Sequence, residues 1–149
     1  MRIDGKTALF AGTFDPFTIG HHRIVMRALQ LFSRVVIAVG RNSGKQALHS
    51  VDERVEQLRR LYADEPRVEA FAYDGLTVDF AKEIGADCLL RGVRSVKDFE
   101  YERELADVNR RISGMETLLL ISEPEYSSIS SSVVRELLSY GKDVSDMLP

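Results

Sequence analysis

Only one cysteine, Cys88, stands in the chain, so no intrachain disulfide forms and no multi-cysteine metal site exists. Within the run DCLL it reads as a small buried apolar group. Positive charge is not in excess either: 20 Lys and Arg face 23 Asp and Glu, for a formal net charge of -3. That balance excludes a generally basic nucleic-acid binder but allows a few cations to converge on one pocket. Long apolar runs are missing. No window reaches the ~18 residues that a membrane span needs, and the opening MRIDGKTALF, with Asp4 and Lys6, lacks the apolar stretch of a signal peptide. The expectation is a cytoplasmic protein with no membrane part. Repeats, low-complexity tracts and interdomain linkers are also absent. What remains is 149 residues, 44% hydrophobic and 29% charged, enough for one domain (1–149) with a real core and a solvated surface.

Short apolar runs alternate with longer amphipathic ones. KTALFAG (6–12) predicts a first strand buried on both faces, because it barely alternates. A helix from His21 to Phe32 follows, with Ile24, Val25, Ala28, Leu29 and Phe32 on one face. RVVIAVG (34–40) is a second strand. The helix from Val51 to Ala63 turns Val55, Leu58, Leu61 and Tyr62 inward. VEAFAY (68–73), ADCLLRG (86–92) and ETLLLISE (116–123) supply three more strands, with helices at 77–85, 96–112 and 131–141 between and after them. This order argues for a doubly wound, five-stranded parallel α/β sheet of Rossmann-like type in a single domain. Right-handed crossovers place the loops after strands one, two and four on one rim.

Those loops hold the chemistry. GTFDPFTIGH follows the first strand without matching a dinucleotide fingerprint or a phosphate loop. Gly12 and Gly20 allow close backbone approach, Thr13 offers a hydroxyl, and His21 in the first helical turn can reach an anion favoured by the helix dipole. Alone, His21 would read as a capping or surface histidine; His22 is left as one, and Asp15 is read as capping or ordering the loop through local hydrogen bonds, with a metal role as the weaker alternative. Arg41 and Lys45 follow the second strand. Arg91 and Arg94 flank Gly92 after the fourth, and two guanidinium forks suit phosphate oxygens. In the charged helix beyond, Glu102 turns back toward the phosphates only if that helix starts late. Ser130, Ser131 and Ser132 precede the last helix as an N-cap and anion nest, with Arg135 on the pocket side of its first turn.

Together GTFDPFTIGH, Lys45, RGVRSVKDFEYE and ISSSVVRE resemble the bacterial phosphopantetheine adenylyltransferases, of the nucleotidyltransferase superfamily with (Thr/His)-x-Gly-His and Ile-Ser-Ser-Ser/Thr-x-x-Arg signatures. The resemblance covers essentially the whole chain, and RGVRSVKDFEYE is its most specific string. Ala11 replaces a usual proline and Ile19 a usual asparagine, and the loop around Lys45 is atypical; none of these removes a side chain assigned to chemistry. The resemblance implies adenylyl transfer from ATP to 4'-phosphopantetheine with Mg2+, giving 3'-dephospho-CoA and pyrophosphate. It further implies a homohexamer and inhibition by coenzyme A. It makes His21, Lys45 and Arg91 catalytic, and puts the acceptor on Thr13, Phe14, Lys45, Leu76, Thr77 and Arg91. ATP falls to Gly12, Thr13, Phe14, His21, Arg91, Gly92, Arg94 and Glu102, with Ile129, Ser130, Ser131, Ser132 and Arg135. An ionised acceptor phosphate needs no general base, so direct in-line attack is expected, with catalysis by positioning and charge neutralisation. The alternatives are another small-molecule nucleotidyltransferase of this superfamily and a non-catalytic nucleotide-binding protein.

Overall fold

A computed structural model describes residues 3–41 and 47–149. Five parallel strands form one sheet in the order β3-β2-β1-β4-β5: β1 Ile3–Gly12, β2 Phe32–Gly40, β3 Val68–Tyr73, β4 Cys88–Val93 and β5 Glu116–Ile121. The helices between and after them are α1 Ile19–Ala28, α2 Val51–Leu61, α3 Thr77–Glu83, α4 Val96–Ser113 and α5 Ser131–Ser139. The strand order reverses at β1, between its pairings with β2 and β4, and that switch point is where an open α/β sheet leaves a crevice beyond its carboxyl ends.

Successive β1 side chains serve opposite faces. Phe10 and Ala8 join Val35, Ile37 and Leu90 beneath α1 and α2, while Leu9 and Ala11 join Val36, Ala38 and Leu89 beneath α3. The non-alternating strands are therefore apolar because both faces are covered. Four helices open on a hydroxyl cap: Thr18, Ser50, Ser95 and Ser130 each accept the backbone N–H three residues on. Each such cap contributes about 1 kcal/mol.

Several boundaries move. The helix expected over 21–32 starts at Ile19 and stops at Ala28, because Leu29 to Leu31 turn the chain through bonds to Val25, Arg27 and Ala28 carbonyls. Phe32 is consequently the buried first residue of β2 rather than a helical one. β1 likewise begins at Ile3, ahead of the expected Lys6. On α2, Tyr62 is buried as expected but Leu61 lies 38% exposed, since consecutive positions on a helix diverge by ~100° and cannot both face in. Cys88 is half-buried, not fully so, and burial pushes its thiol up to about 11, which leaves it a poor nucleophile.

Candidate active site

The loop after β1 is built to be rigid. Phe14 holds φ at 50°, a costly conformation for a side chain of its size. Its ring lies against Gly12, where an added Cβ would come within 3.0 Å of it. Asp15, buried, accepts from the Leu48 and His49 amides at 2.6 and 3.1 Å. Its bonds are therefore not local, as expected, but join this loop to the segment before α2. Arg54, also buried, donates to the carbonyls of Thr13 and His49. From the other side, Ser131 Oγ donates to the Pro16 carbonyl at 2.7 Å and Arg135 to the Asp15 carbonyl at 2.6 Å.

Thr18 then caps α1 in a reciprocal box. Its Oγ1 accepts from the His21 amide, and His21 Nδ1 accepts from the Thr18 amide at 2.9 Å. His21 is thereby fixed among Phe10, Phe14 and Phe17, with ring centroids at 6.2, 5.0 and 5.3 Å. Burial, then the charges of Arg94 and Arg91, lower its pKa from 6.5 to about 3. His22 points away and bonds the Tyr62 hydroxyl.

Two cavities of about 270 and 280 Å³ open at this rim. Gly12, Thr13, Phe14, His21, Arg91, Gly92 and Arg94 line the first, as do Glu102, Ile129, Ser130 and Ser131. Leu76 and Thr77 line the second, with Gly12, Arg91 and Glu102 again. The shared wall is an ion pair. Arg91 meets Glu102 through two parallel bonds of 2.7 Å and donates to the Ala11 carbonyl at 2.6 Å. Burial opposes the charge of Arg91, but the bonds and charge of Glu102 outweigh it and hold its pKa up. Arg94 pairs with Asp98 at 3.2 Å.

Several sequence expectations change here. Glu102 reaches the arginine although α4 starts on time at Val96; it is the one buried residue of that helix, on the face that packs back over β4. Ser132 is exposed and lines neither cavity; it accepts a bond from Arg135. Because Ser130 is the cap, Arg135 falls in the second turn and straps the β1 loop instead of facing the first cavity. Lys45 lies outside the described residues. Sequence reasoning passed over Thr18, Asp98 and Tyr126 in the first cavity, and Leu105, Ala106 and Asn109 in the second. A signal existed for the last three: with Glu102 they repeat at three, four and seven residues, one face of a helix.

A cavity lined by arginines and hydroxyl groups at the switch point of a parallel sheet suits a phosphate-handling α/β domain, and a family model described as cytidylyltransferase-like matches residues 9–137. A phosphopantetheine adenylyltransferase of Porphyromonas gingivalis is 55% identical over 142 residues, 95% of this chain and 93% of the relative. One from Bacteroides fragilis is 50% identical over 144 residues, 97% and 96%. A lipopolysaccharide core biosynthesis protein from Thermoplasma volcanium shares the fold with a TM-score of 0.57 at 19% identity, over 79% of this chain and 96% of that one. Within the cytidylyltransferase-like class, the chain belongs to the phosphopantetheine adenylyltransferase family.

Proposed function

We propose that this nucleotidyltransferase moves the adenylyl group of ATP onto 4'-phosphopantetheine, giving 3'-dephospho-CoA and pyrophosphate for coenzyme A synthesis. The observation that carries the reading is the pair of cavities meeting at Arg91. The first offers His21, Arg94, Ser130 and Ser131 to a polyphosphate. The second, walled by Leu9, Leu76, Leu89 and Leu105 with Asn109 among them, suits a long, mostly neutral chain with amide groups. Thr13, near the shared wall, and Lys45 receive the acceptor phosphate. Gly12 and Phe14 shape the floor between the two substrates, and Thr77 supports the acceptor side through its bond to the Tyr73 hydroxyl.

In this arrangement a phosphate oxygen of the acceptor attacks the α-phosphorus of ATP. The new P–O bond forms as the bond to the bridging α–β oxygen breaks, and pyrophosphate leaves with that electron pair. Arg91 is positioned to neutralise charge where the two substrates meet, and Glu102 holds its fork in place. Arg94 and His21 face the departing phosphates.

Mg2+ is part of the proposal. The carboxylates of Asp98 and Glu102 are each committed to an arginine, and no group of three or more metal-binding side chains occurs among the described residues. This donor set fits an ion held mainly by phosphate and water oxygens, the usual habit of Mg2+. Its contribution there is neutralisation of the leaving pyrophosphate.

A homohexamer is proposed on one stripe of α4, where Tyr101, Val108 and Ile112 are 55–59% exposed beside the edge strand β5. Coenzyme A is proposed as an inhibitor, since it carries both an adenine nucleotide and a pantetheine arm and so can span both cavities. The cytoplasm is the proposed site of action; among the described residues, no helix is long and apolar enough to cross a membrane.

Pyrophosphate release is the test, measured with ATP and Mg2+ in the presence and absence of 4'-phosphopantetheine. Release only with that acceptor, and a product heavier by one adenylyl group, is expected. Release driven by another phosphate acceptor would keep the chemistry and refute the substrate; no release with any acceptor would leave a binding protein.

A further inference from the structure

His21 lines the first cavity, and its hydrogen bonds define its chemistry. A backbone N–H can only donate. The Thr18 amide, 2.9 Å from Nδ1, therefore requires the lone pair of that nitrogen. Thr18 Oγ1 sits 3.2 Å from the same nitrogen while accepting the His21 amide, closing the cap around it. If the ring carries one proton, that proton is on Nε2, for which no hydrogen-bond partner occurs among the described residues. We infer that His21 acts as a neutral donor in a single tautomer, set by the Thr18 amide, presenting Nε2–H to the anion of the first cavity, and acts neither as a cation nor as a proton shuttle. The inference rests on the reading of that cavity as the polyphosphate site.

The surroundings agree from every side. Phe14 meets the ring edge-on at 81° and Phe17 lies over it at 32°, so the imidazole sits in an aromatic slot. The charged and titratable groups facing it are Arg91 and Arg94 at the end of β4, Asp98 and Glu102 on α4, and Tyr126 after β5. Both carboxylates are engaged by the two arginines, so neither stabilises an imidazolium, and both arginines oppose one. A neutral donor beside two fixed cations has a chemical sense. It hydrogen-bonds an oxygen whose charge grows in the transition state, in a site where a further buried charge would be costly.

Two readouts test this on the full-length protein without ligand and then with its substrates. In nitrogen-15 imidazole spectra, with His21 assigned by its loss in His21→Gln, the expected pattern is a bare Nδ1 and a protonated Nε2, unchanged from pH 5 to pH 8. A ring that titrates near 6.5, or one that carries its proton on Nδ1, overturns the inference. In turnover, His21→Gln supplies a neutral N–H donor and is expected to keep about tenfold more activity than His21→Ala, with His21→Arg no better than alanine. Arginine rescue without glutamine rescue would show that charge is what matters and also overturn it. Because the spectra need no substrate, a protein with the expected tautomer but no adenylyl transfer would refute the proposed reaction and leave the state of the ring standing.

Discussion

The two cavities share Gly12, Arg91 and Glu102 and are nearly equal in size, yet they are made differently. The first is assembled from helix caps, arginines and a loop cross-braced to α2 and α5. The second is mostly the inner face of α4 and the uncapped start of α3, where Leu76 is 58% exposed. One side is therefore fixed before a ligand arrives, as charge stabilisation requires. The other recognises its ligand through apolar contact and a few amide-sized polar groups, where small displacements cost less. The contrast predicts that substitutions on the shared wall abolish turnover, those in the second cavity alter only acceptor affinity, and those in the first can be sorted by pH.

The largest effect is expected for Arg91→Ala. It removes the cation common to both cavities and leaves Glu102, 7% exposed at its side chain, as a buried carboxylate without its partner. Turnover should fall at least a thousandfold, and stability by about 2 kcal/mol; a fully buried pair would lose ~3–5, and Arg91 retains partial access. Denaturant unfolding and pyrophosphate release measure the two losses. A variant with full stability and weak activity would mean that Glu102 has another partner in solution, and the wall would lose its structural meaning.

His21→Ala comes next. Loss of one preorganised donor in a comparable oxyanion site costs ~3 kcal/mol, so turnover should fall at least a hundredfold with the fold intact. Near-normal turnover would remove His21 from the mechanism. Asn109→Ala then tests the division between cavities. Its amide is available to a neutral acceptor arm, and one lost hydrogen bond of about 1.4 kcal/mol is tenfold in affinity. The KM for the acceptor should rise about tenfold and that for ATP less than twofold, by steady-state kinetics. Equal changes in both would show that the second cavity is not a separate subsite.

The same contrast explains what the sequence made legible. The sheet could be read because its strands are apolar on both faces and its helices are punctuated by hydroxyl caps, both local signals. Residues of the first cavity could be read because Gly12 and Arg91 lie at the carboxyl ends of strands and His21 and Ser130 at the starts of helices, where topology alone gathers them. Arg135 was misread, since its bond to the Asp15 carbonyl joins residues 120 positions apart. Asp15 was misread for the same reason, its partners lying 33 and 34 residues away. The face of α4 that carries Glu102, Leu105 and Asn109 was hidden by composition. That helix is charged throughout and looks solvated until its packing over β4 is known.

A change in pH separates the two kinds of wall without altering a contact. His21 has its folded pKa near 3 against an ordinary 6.5. Between these values the unfolded chain binds a proton that the folded one refuses, so stability contributed by this group is complete above about 6.5 and declines as pH falls toward 3. The half-buried His22 is shifted in the same direction, by burial first and Arg23 second. The Tm of the protein should therefore drop more between pH 7 and pH 4.5 than that of His21→Gln, by about 3 °C or more for a chain of this size. Parallel declines would mean that His21 accepts a proton in the folded state.

The smallest effect is expected for Thr18→Ala, and it separates two functions of one residue. The substitution deletes Oγ1, which caps α1, but keeps the backbone N–H that bonds Nδ1 of His21. Losing a threonine cap costs about 1 kcal/mol, and thermal unfolding should show that loss. Turnover should stay within about fivefold of the parent, because the amide still sets the tautomer and Phe10, Phe14 and Phe17 still confine the ring. A hundredfold fall with only that modest loss of stability would transfer the orienting role from the backbone to the hydroxyl. The first cavity would then depend on a rotatable side chain where the structure shows a fixed amide.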